Sequence, residues 1–362
     1  MISDSSVTIG GQPIVWLEAE ETEREQRAFT RAALIPGRAL MILQAYARLP
    51  QGEVEVFAAP PAAEAASLLS GDKFGNAAFA FGGAVLAPFA NRIRGRFIPE
   101  TNEIATRVRG RPIRLVANGA GRADGAERFA IHGLILDRAV EKLEPWLNER
   151  GSGVRGLIAC GSFGDRWLSE LQLEIAWLLE SSGLELYVTA RNVGSELAPV
   201  GIGWHPYFNL PSGVRSQALM RLPAHERMLV NNYDEVLPTG ALEQVVGTAY
   251  DFRGPEGVAL GDLRLDDCFS GLERNAAGDV VCEVRDPLKD YGLRITTRSP
   301  HVTALQTFTT RDKPFVVIEP QFNWADPYGA EWGGRYTGMV SLLPREYVRY
   351  SVRMELFAPE TG

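Results

Sequence analysis

Two short segments carry the residue types best suited to chemistry: Gly203-Trp204-His205-Pro206-Tyr207-Phe208-Asn209-Leu210 and Ile318-Glu319-Pro320-Gln321. Each sets one titratable side chain beside a proline in an apolar, aromatic stretch. An imidazole and a carboxylate on either side of a small polar substrate can deliver one proton and remove another, with no metal, nucleophile or cofactor. Pro206 fixes its own φ and biases His205 toward an extended backbone. Glu319 ends a strongly apolar run, Phe315-Val316-Val317-Ile318, and a charged residue in that position meets a structural partner or lines a pocket. Desolvation there raises a carboxyl pKa, whereas a neighbouring imidazolium lowers it. Gln321, two residues on, projects from the same face as Glu319 in an extended segment.

Further polar groups interrupt apolar surroundings elsewhere. Pro88-Phe89-Ala90-Asn91-Arg92-Ile93-Arg94-Gly95 places amide and guanidinium donors side by side, able to fix several hydroxyls. A solvated turn with ordinary ion pairs is the plainer reading of the same residues. His132-Gly133-Leu134 follows an irregular stretch rich in Gly, Arg and Asp, which puts the histidine at the end of a loop. Asp266-Asp267-Cys268-Phe269 places adjacent carboxylates at a strand entry, where a turn cap is the alternative. Gly151-Ser152-Gly153-Val154-Arg155-Gly156 matches GxGxxG, but no strand clearly leads into it and no helical pattern follows, so it reads as a turn. Neither a phosphate-binding GxxxxGK[ST] nor HExxH nor GxSxG occurs, and His225 and His301 stand alone without metal-ligand spacing. The residues therefore imply neither cofactor nor metal.

The elements that must position these groups read as strands. Leu171–Trp177, Leu184–Ala190, Val281–Arg285 and Tyr350–Leu356 alternate apolar with polar residues, and Val15–Ala19 and 52–57 look alike. The 37 glycines and 22 prolines punctuate such runs at short intervals, giving turns rather than helix-length gaps. Ala62–Ser70 is the only plausible helix. This pattern predicts an all-β fold, a large antiparallel β-sandwich. No linker, repeat or low-complexity stretch appears. The candidate segments run from about residue 91 to 321, so a boundary between them would cut one site apart; a single domain over 1–362 is expected.

Composition bounds the partners. Across 362 residues the net charge of −8 opposes binding to a phosphate backbone, so no nucleic-acid partner is expected. No window approaches the ~18 apolar residues of a spanning helix, so no membrane association is expected. Nothing near Met1 reads as a targeting segment. Cys160, Cys268 and Cys282 are odd in number and lack CxxC spacing, as suits buried thiols in a reducing, cytoplasmic setting.

Taken together, Asn91-Arg92-Ile93, His132-Gly133, His205-Pro206-Tyr207-Phe208, Asp266-Asp267-Cys268-Phe269 and Ile318-Glu319-Pro320-Gln321 resemble the aldose 1-epimerase (galactose mutarotase) family in order and rough spacing, over about residues 10 to 357. The resemblance implies a supersandwich of the galactose mutarotase type with its site in an open cleft on one sheet. It also implies interconversion of the α and β anomers of a hexose by a monomer or homodimer. Carried over by motif position, His205 would be the general acid toward the ring oxygen and Glu319 the general base toward the anomeric hydroxyl. Arg92, His132 and Asp266 would hold hydroxyls or the ring oxygen, with Asn91 and Gln321 as further substrate-binding residues. The chain departs from the family twice. Leu134–Val140 lacks the tryptophan often found downstream of the His-Gly pair, and Asp267 stands where many members have histidine. The aromatic segment Phe322–Trp332 is expected to shape specificity, and Trp204, Tyr207, Phe208 and Trp324 are candidates to stack on a pyranose or to fill the core.

Two other readings use the same residues. A hexose-6-phosphate 1-epimerase would keep the acid/base pair and recruit basic groups such as Arg94 and Arg96 for the phosphate. A non-catalytic sugar-binding or sugar-sensing protein would keep the fold without the chemistry; retention of both His205 and Glu319 opposes it.

Overall fold

The computed structural model describes residues 1–20, 26–72 and 74–359. Two large antiparallel sheets dominate them. One has nine strands, in the order Lys142–Asn148, Gly151–Gly161, Leu171–Glu180, Gly183–Asn192, Tyr347–Phe357, Tyr291–Thr297, Val280–Asp286, Leu219–Arg221 and Val258–Ala259. The other has eight. Its main path runs Pro238–Gln244, Ala224–Val230, Leu265–Leu272, Ala304–Thr309, Phe315–Gln321, Gly203–His205 and Ala84–Leu86, with Tyr207–Asn209 also paired to Phe315–Gln321. A five-stranded sheet from the first 55 residues flanks them.

Alternation explains which sheet faces pack. Leu173, Ile175 and Trp177 from the nine-stranded sheet share one buried cluster with Trp204, Leu305, Val316 and Ile318 from the eight-stranded sheet. Trp177 meets Trp204 edge to face with centroids 5.7 Å apart. Behind them the Tyr350 phenol, on the nine-stranded sheet, donates to the Pro320 carbonyl at 2.7 Å. Strands with one core face and one polar face therefore form an all-β sandwich, as the alternating sequence predicts.

Each strand expected from alternation lies within or overlaps an observed one. The helix expected over Ala62–Ser70 is α1, Ala62–Leu69. A second helix, α2, spans only Asn76–Ala80, too short to show a helical repeat in the sequence. The GxGxxG segment corrects the expectation of a turn: it opens the strand Gly151–Gly161. The Trp146 indole explains why glycine suits the middle of that strand, since a Cβ on Gly153 would lie 2.1 Å from the ring. Cys160, Cys268 and Cys282 are buried free thiols, as expected. Trp204 and Phe208 are fully buried core residues, which removes both from the candidate sugar-stacking rings.

Trp204 has no exposed surface and touches Trp177, Phe57 and Phe208 within 6.0 Å of ring centroids. Truncation to alanine leaves a large void between the sheets. We expect Trp204→Ala to lower unfolding stability by about 3–5 kcal/mol, read from the urea midpoint at unchanged slope.

Candidate active site

Strand register gathers the site. Across adjacent antiparallel strands Cys268 pairs with Gln306 and Gln306 with Glu319, while Gln321 pairs with Gly203. Directly paired residues, and those two apart along a strand, share a sheet face. Asp266, Gln306, Glu319, Gln321 and His205 therefore all project from one face, opposite the face that buries Val316, Ile318 and Trp204. The same parity sends Asp267 the other way, where Arg227 at 3.0 Å and the Tyr233 hydroxyl at 2.8 Å hold its carboxylate. Asp266, not Asp267, shares the face of His205 and Glu319.

Asn91 and His132 come from connections beyond the sheet edge. Both adopt left-handed backbone, with φ of 59° and 63°, and the His132 amide donates to the Asn91 carbonyl at 2.9 Å. Left-handed non-glycine residues cost about 1–3 kcal/mol each and persist where packing over-determines them. Here the constraint is visible in Gly133, which follows at φ 84° and packs so closely on Ala87 that a Cβ would lie 2.2 Å from its carbonyl oxygen. The segment expected to shape specificity buttresses the same region. The Asn323 side-chain amide bonds both backbone groups of Ala90, at 2.9 and 2.8 Å, and the Asp326 amide donates to the Arg92 carbonyl at 2.7 Å.

His205 Nε2 lies 3.3 Å from Glu319 Oε1. The His205 ring stacks on Tyr207 at 5.2 Å and meets His132 edge to face at 4.9 Å. Asn91 donates to Gln306 at 2.8 Å, Gln306 donates to Asp266 at 2.9 Å, and Arg92 stands 3.6 Å from the Asp266 carboxylate and 3.2 Å from the Asn91 amide oxygen. The structure thus brings together His205, Glu319, Asn91, Arg92, His132, Asp266 and Gln321, the last donating to the Cys268 sulfur at 3.6 Å. Sequence reasoning missed Gln306, which joins the amide and carboxylate wings; in the strand Ala304–Thr309 it is one of three polar residues and nothing in the sequence sets it apart. It also missed Phe79 on α2, whose ring lies 4.8 Å from that of His132 and 5.8 Å from that of His205. With that ring against both histidines, His205 and Glu319 are only 5% and 1% exposed, more enclosed than an open cleft implies.

Burial governs protonation here. It raises the Glu319 carboxyl well above its ordinary value, with the Asp266 charge adding and Arg92 opposing. It lowers the His205 imidazole to about 3 and holds His132 well below its usual range, the latter with help from His205 and Arg92. Asp266 is also raised by burial, an effect that Arg92 offsets. Of the two opposing effects on the His205–Glu319 pair, desolvation is the larger: it disfavours both ions and so favours the neutral form.

Glu319 Oε2, Gln321 Oε1, His205 Nδ1, His132 Nδ1 and Arg92 Nε are buried with no hydrogen-bond partner in the protein. Each such atom costs about 1–3 kcal/mol when left unpaired. Three of them lie on the shared sheet face and two on the connections beside it, together offering both donors and acceptors suited to a ligand carrying several hydroxyls. Among the described residues no group of three or more His, Cys, Asp or Glu side chains is arranged to hold a metal ion, and no helix is long and apolar enough to cross a membrane.

An all-β supersandwich with a buried imidazole–carboxylate pair and a fringe of amide and guanidinium groups defines a protein of the galactose mutarotase-like class. Solved structures of that type share the fold. A galactose mutarotase-like protein from Clostridium acetobutylicum superposes with a TM-score of 0.76 at 18% identity, covering 99% of this chain and 98% of its own. A galactose 1-epimerase from Lactobacillus acidophilus gives 0.69 at 17% identity, covering 99% of each. The family model described as aldose 1-epimerase matches residues 61–350, and the chain belongs to the aldose 1-epimerase family. The human galactose mutarotase is 30% identical over 181 residues, a match spanning 46% of this chain and 50% of that protein.

A neutral buried histidine makes stability depend on pH. Between pH 6.5 and about 3 the unfolded chain takes up a proton at His205 that the folded chain refuses, so the contribution of His205 to stability falls as pH drops through that window, while the raised carboxyls of Glu319 and Asp266 contribute with the opposite sign. His132 adds to the loss with the same sign. We expect His205→Asn to lose less stability than the parent over the upper part of this window, measured by urea midpoints at successive pH values.

Proposed function

We propose that this protein is an aldose 1-epimerase that interconverts the α and β anomers of a free hexose by acid/base ring opening. The observation that carries this reading is the 3.3 Å approach of His205 Nε2 to Glu319 Oε1 within a face of unpaired hydrogen-bonding atoms. Glu319 faces the anomeric hydroxyl and His205 the ring oxygen. Arg92, Asp266, Asn91, His132 and Gln321 bind the remaining oxygens, with Gln306 holding Asn91 and Asp266 in place.

Anomer exchange opens a hemiacetal, turns the new aldehyde about C1–C2 and closes the ring on its other face. Water does this slowly, because removal of the O1 proton seldom coincides with delivery of one to the ring oxygen. A positioned base and acid supply both, each worth ~10²–10⁴-fold, or roughly 3–5 kcal/mol. Ring opening starts from the form with the pair's one proton on His205, the arrangement that burial disfavours; Glu319 then takes the O1 proton and His205 gives one to the ring oxygen, so both side chains finish neutral. Desolvation favours that same neutral pair. The ion pair is therefore a transient form on the path, and closure returns both protons by the reverse steps. Throughout, the pair holds one proton, and its macroscopic pKa values belong to both groups.

Of the two cations that the 6-phosphate reading would recruit, one is already paired. Arg94 is committed to Glu127 at 2.8 Å and is only partly buried. A purely binding role leaves unexplained why a proton donor and acceptor are brought together and then left with unpaired atoms.

Polarimetry or NMR exchange of freshly dissolved α-galactose and α-glucose tests the activity directly. We expect Glu319→Gln and His205→Asn each to lose at least ~10²-fold in rate while remaining folded; near-parental rates in either variant refute the assigned roles. We also expect a bell-shaped rate profile. The acid limb marks entry of a second proton on the pair, at a position lowered by burial of His205. The alkaline limb marks loss of the single proton, at a position raised by burial of Glu319.

A further inference from the structure

We propose that Tyr207 is a positioning residue for the acid: its ring, propped by Phe308 and Phe315, fixes the angle at which the His205 imidazole faces the substrate. The inference rests on the anomer-exchange reading above. A histidine that transfers protons is commonly oriented by a hydrogen bond at its second ring nitrogen. His205 lacks that support, since its Nδ1 is buried without a hydrogen-bond partner. Its Nε2 faces Glu319, and that contact changes as protons move, so it is no fixed mount. Rotation of an imidazole about its Cβ–Cγ bond is soft. Something other than hydrogen bonding must hold this ring.

Ring packing supplies the support. His205 and Tyr207 sit two apart in an extended segment, so their side chains leave the same sheet face side by side. The two rings stack with centroids 5.2 Å apart and planes 13° from parallel. Turning the imidazole about Cβ–Cγ breaks that alignment, and His132 stands 4.9 Å away with its plane at 84° to the imidazole. Tyr207 is itself held. Phe315 and Phe308 meet it edge to face at 4.8 and 6.2 Å, and its backbone pairs with Val317 on the strand that carries Glu319. Gly82 packs so closely that a Cβ there would lie 2.9 Å from Cδ2 of the phenol. The side-chain contacts are made by the ring, which phenylalanine retains and leucine does not.

The test measures kcat and KM for galactose anomer exchange by NMR in the parent, Tyr207→Phe, Tyr207→Leu and Phe315→Leu, each checked for folding by its urea midpoint. A misaligned proton donor costs rate rather than ground-state binding, so we expect Tyr207→Leu to lose about 10–100-fold in kcat with KM within about threefold of the parent. Tyr207→Phe should keep kcat within about threefold, and Phe315→Leu, which loosens the phenol from behind, should lose about 3–10-fold. Parental kcat in Tyr207→Leu, or in Phe315→Leu where the former does not fold, overturns the inference. So does a Tyr207→Phe variant that falls as far as Tyr207→Leu, which assigns the role to the hydroxyl. A loss confined to KM overturns it as well, because the phenol is then a sugar contact. These outcomes leave the anomer-exchange reading standing. No acceleration of galactose or glucose exchange by the parent overturns that reading, and this inference with it.

Discussion

The site depends on strand register. Glu319, Gln306, Asp266, Gln321 and His205 come from four strands far apart in the chain, yet share a sheet face because their pairing parity agrees. A one-residue slip of any of these strands would exchange its polar face for its core face. In Phe315–Gln321 the slip would push Glu319 into the layer occupied by Ile318 and Val316. The core thus holds the register, and the register assembles the chemistry.

Enclosure then decides what that chemistry can be. In water an imidazole and a carboxylate 3.3 Å apart would form an ion pair. In this site desolvation outweighs their attraction and removes both charges. A reaction that passes a proton each way between substrate and protein benefits from such an environment, since it needs groups of closely balanced proton affinity rather than a strong permanent ion pair. Arg92 contributes a fixed charge to this balance, lowering Asp266 and Glu319 and opposing protonation of both histidines.

Much of this arrangement was legible in the residues. Alternation located the long strands of the nine-stranded sheet, and unusual polar groups in apolar company marked His205, Glu319 and Asp266. Periodicity alone could not choose between Asp266 and Asp267; that required the pairing of Cys268 with Gln306. Glycine spacing misled at 151–156, because the three glycines there clear space for neighbours (the Leu179 carbonyl, the Trp146 indole and Val140) within a strand instead of turning the chain. Gln306 and Phe79 were invisible for different reasons. Gln306 matters only through two partners 215 and 40 positions away, and Phe79 sits on a five-residue helix whose sequence carries no repeat. Protonation was also beyond the sequence, since it turns on how completely the side chains are buried.

The bond from the Tyr350 phenol to the Pro320 carbonyl ties the two sheets together directly behind the reactive carboxylate. Proline 320 has no amide hydrogen, and its carbonyl looks into the interior while its neighbours 319 and 321 look out. The rear layer therefore acts as a datum for the height of the carboxylate above the front layer. A chimera that grafted the Phe315–Gln321 strand onto a relative's rear sheet would have to carry the tyrosine with it, because the working surface and its backing are one mechanical unit.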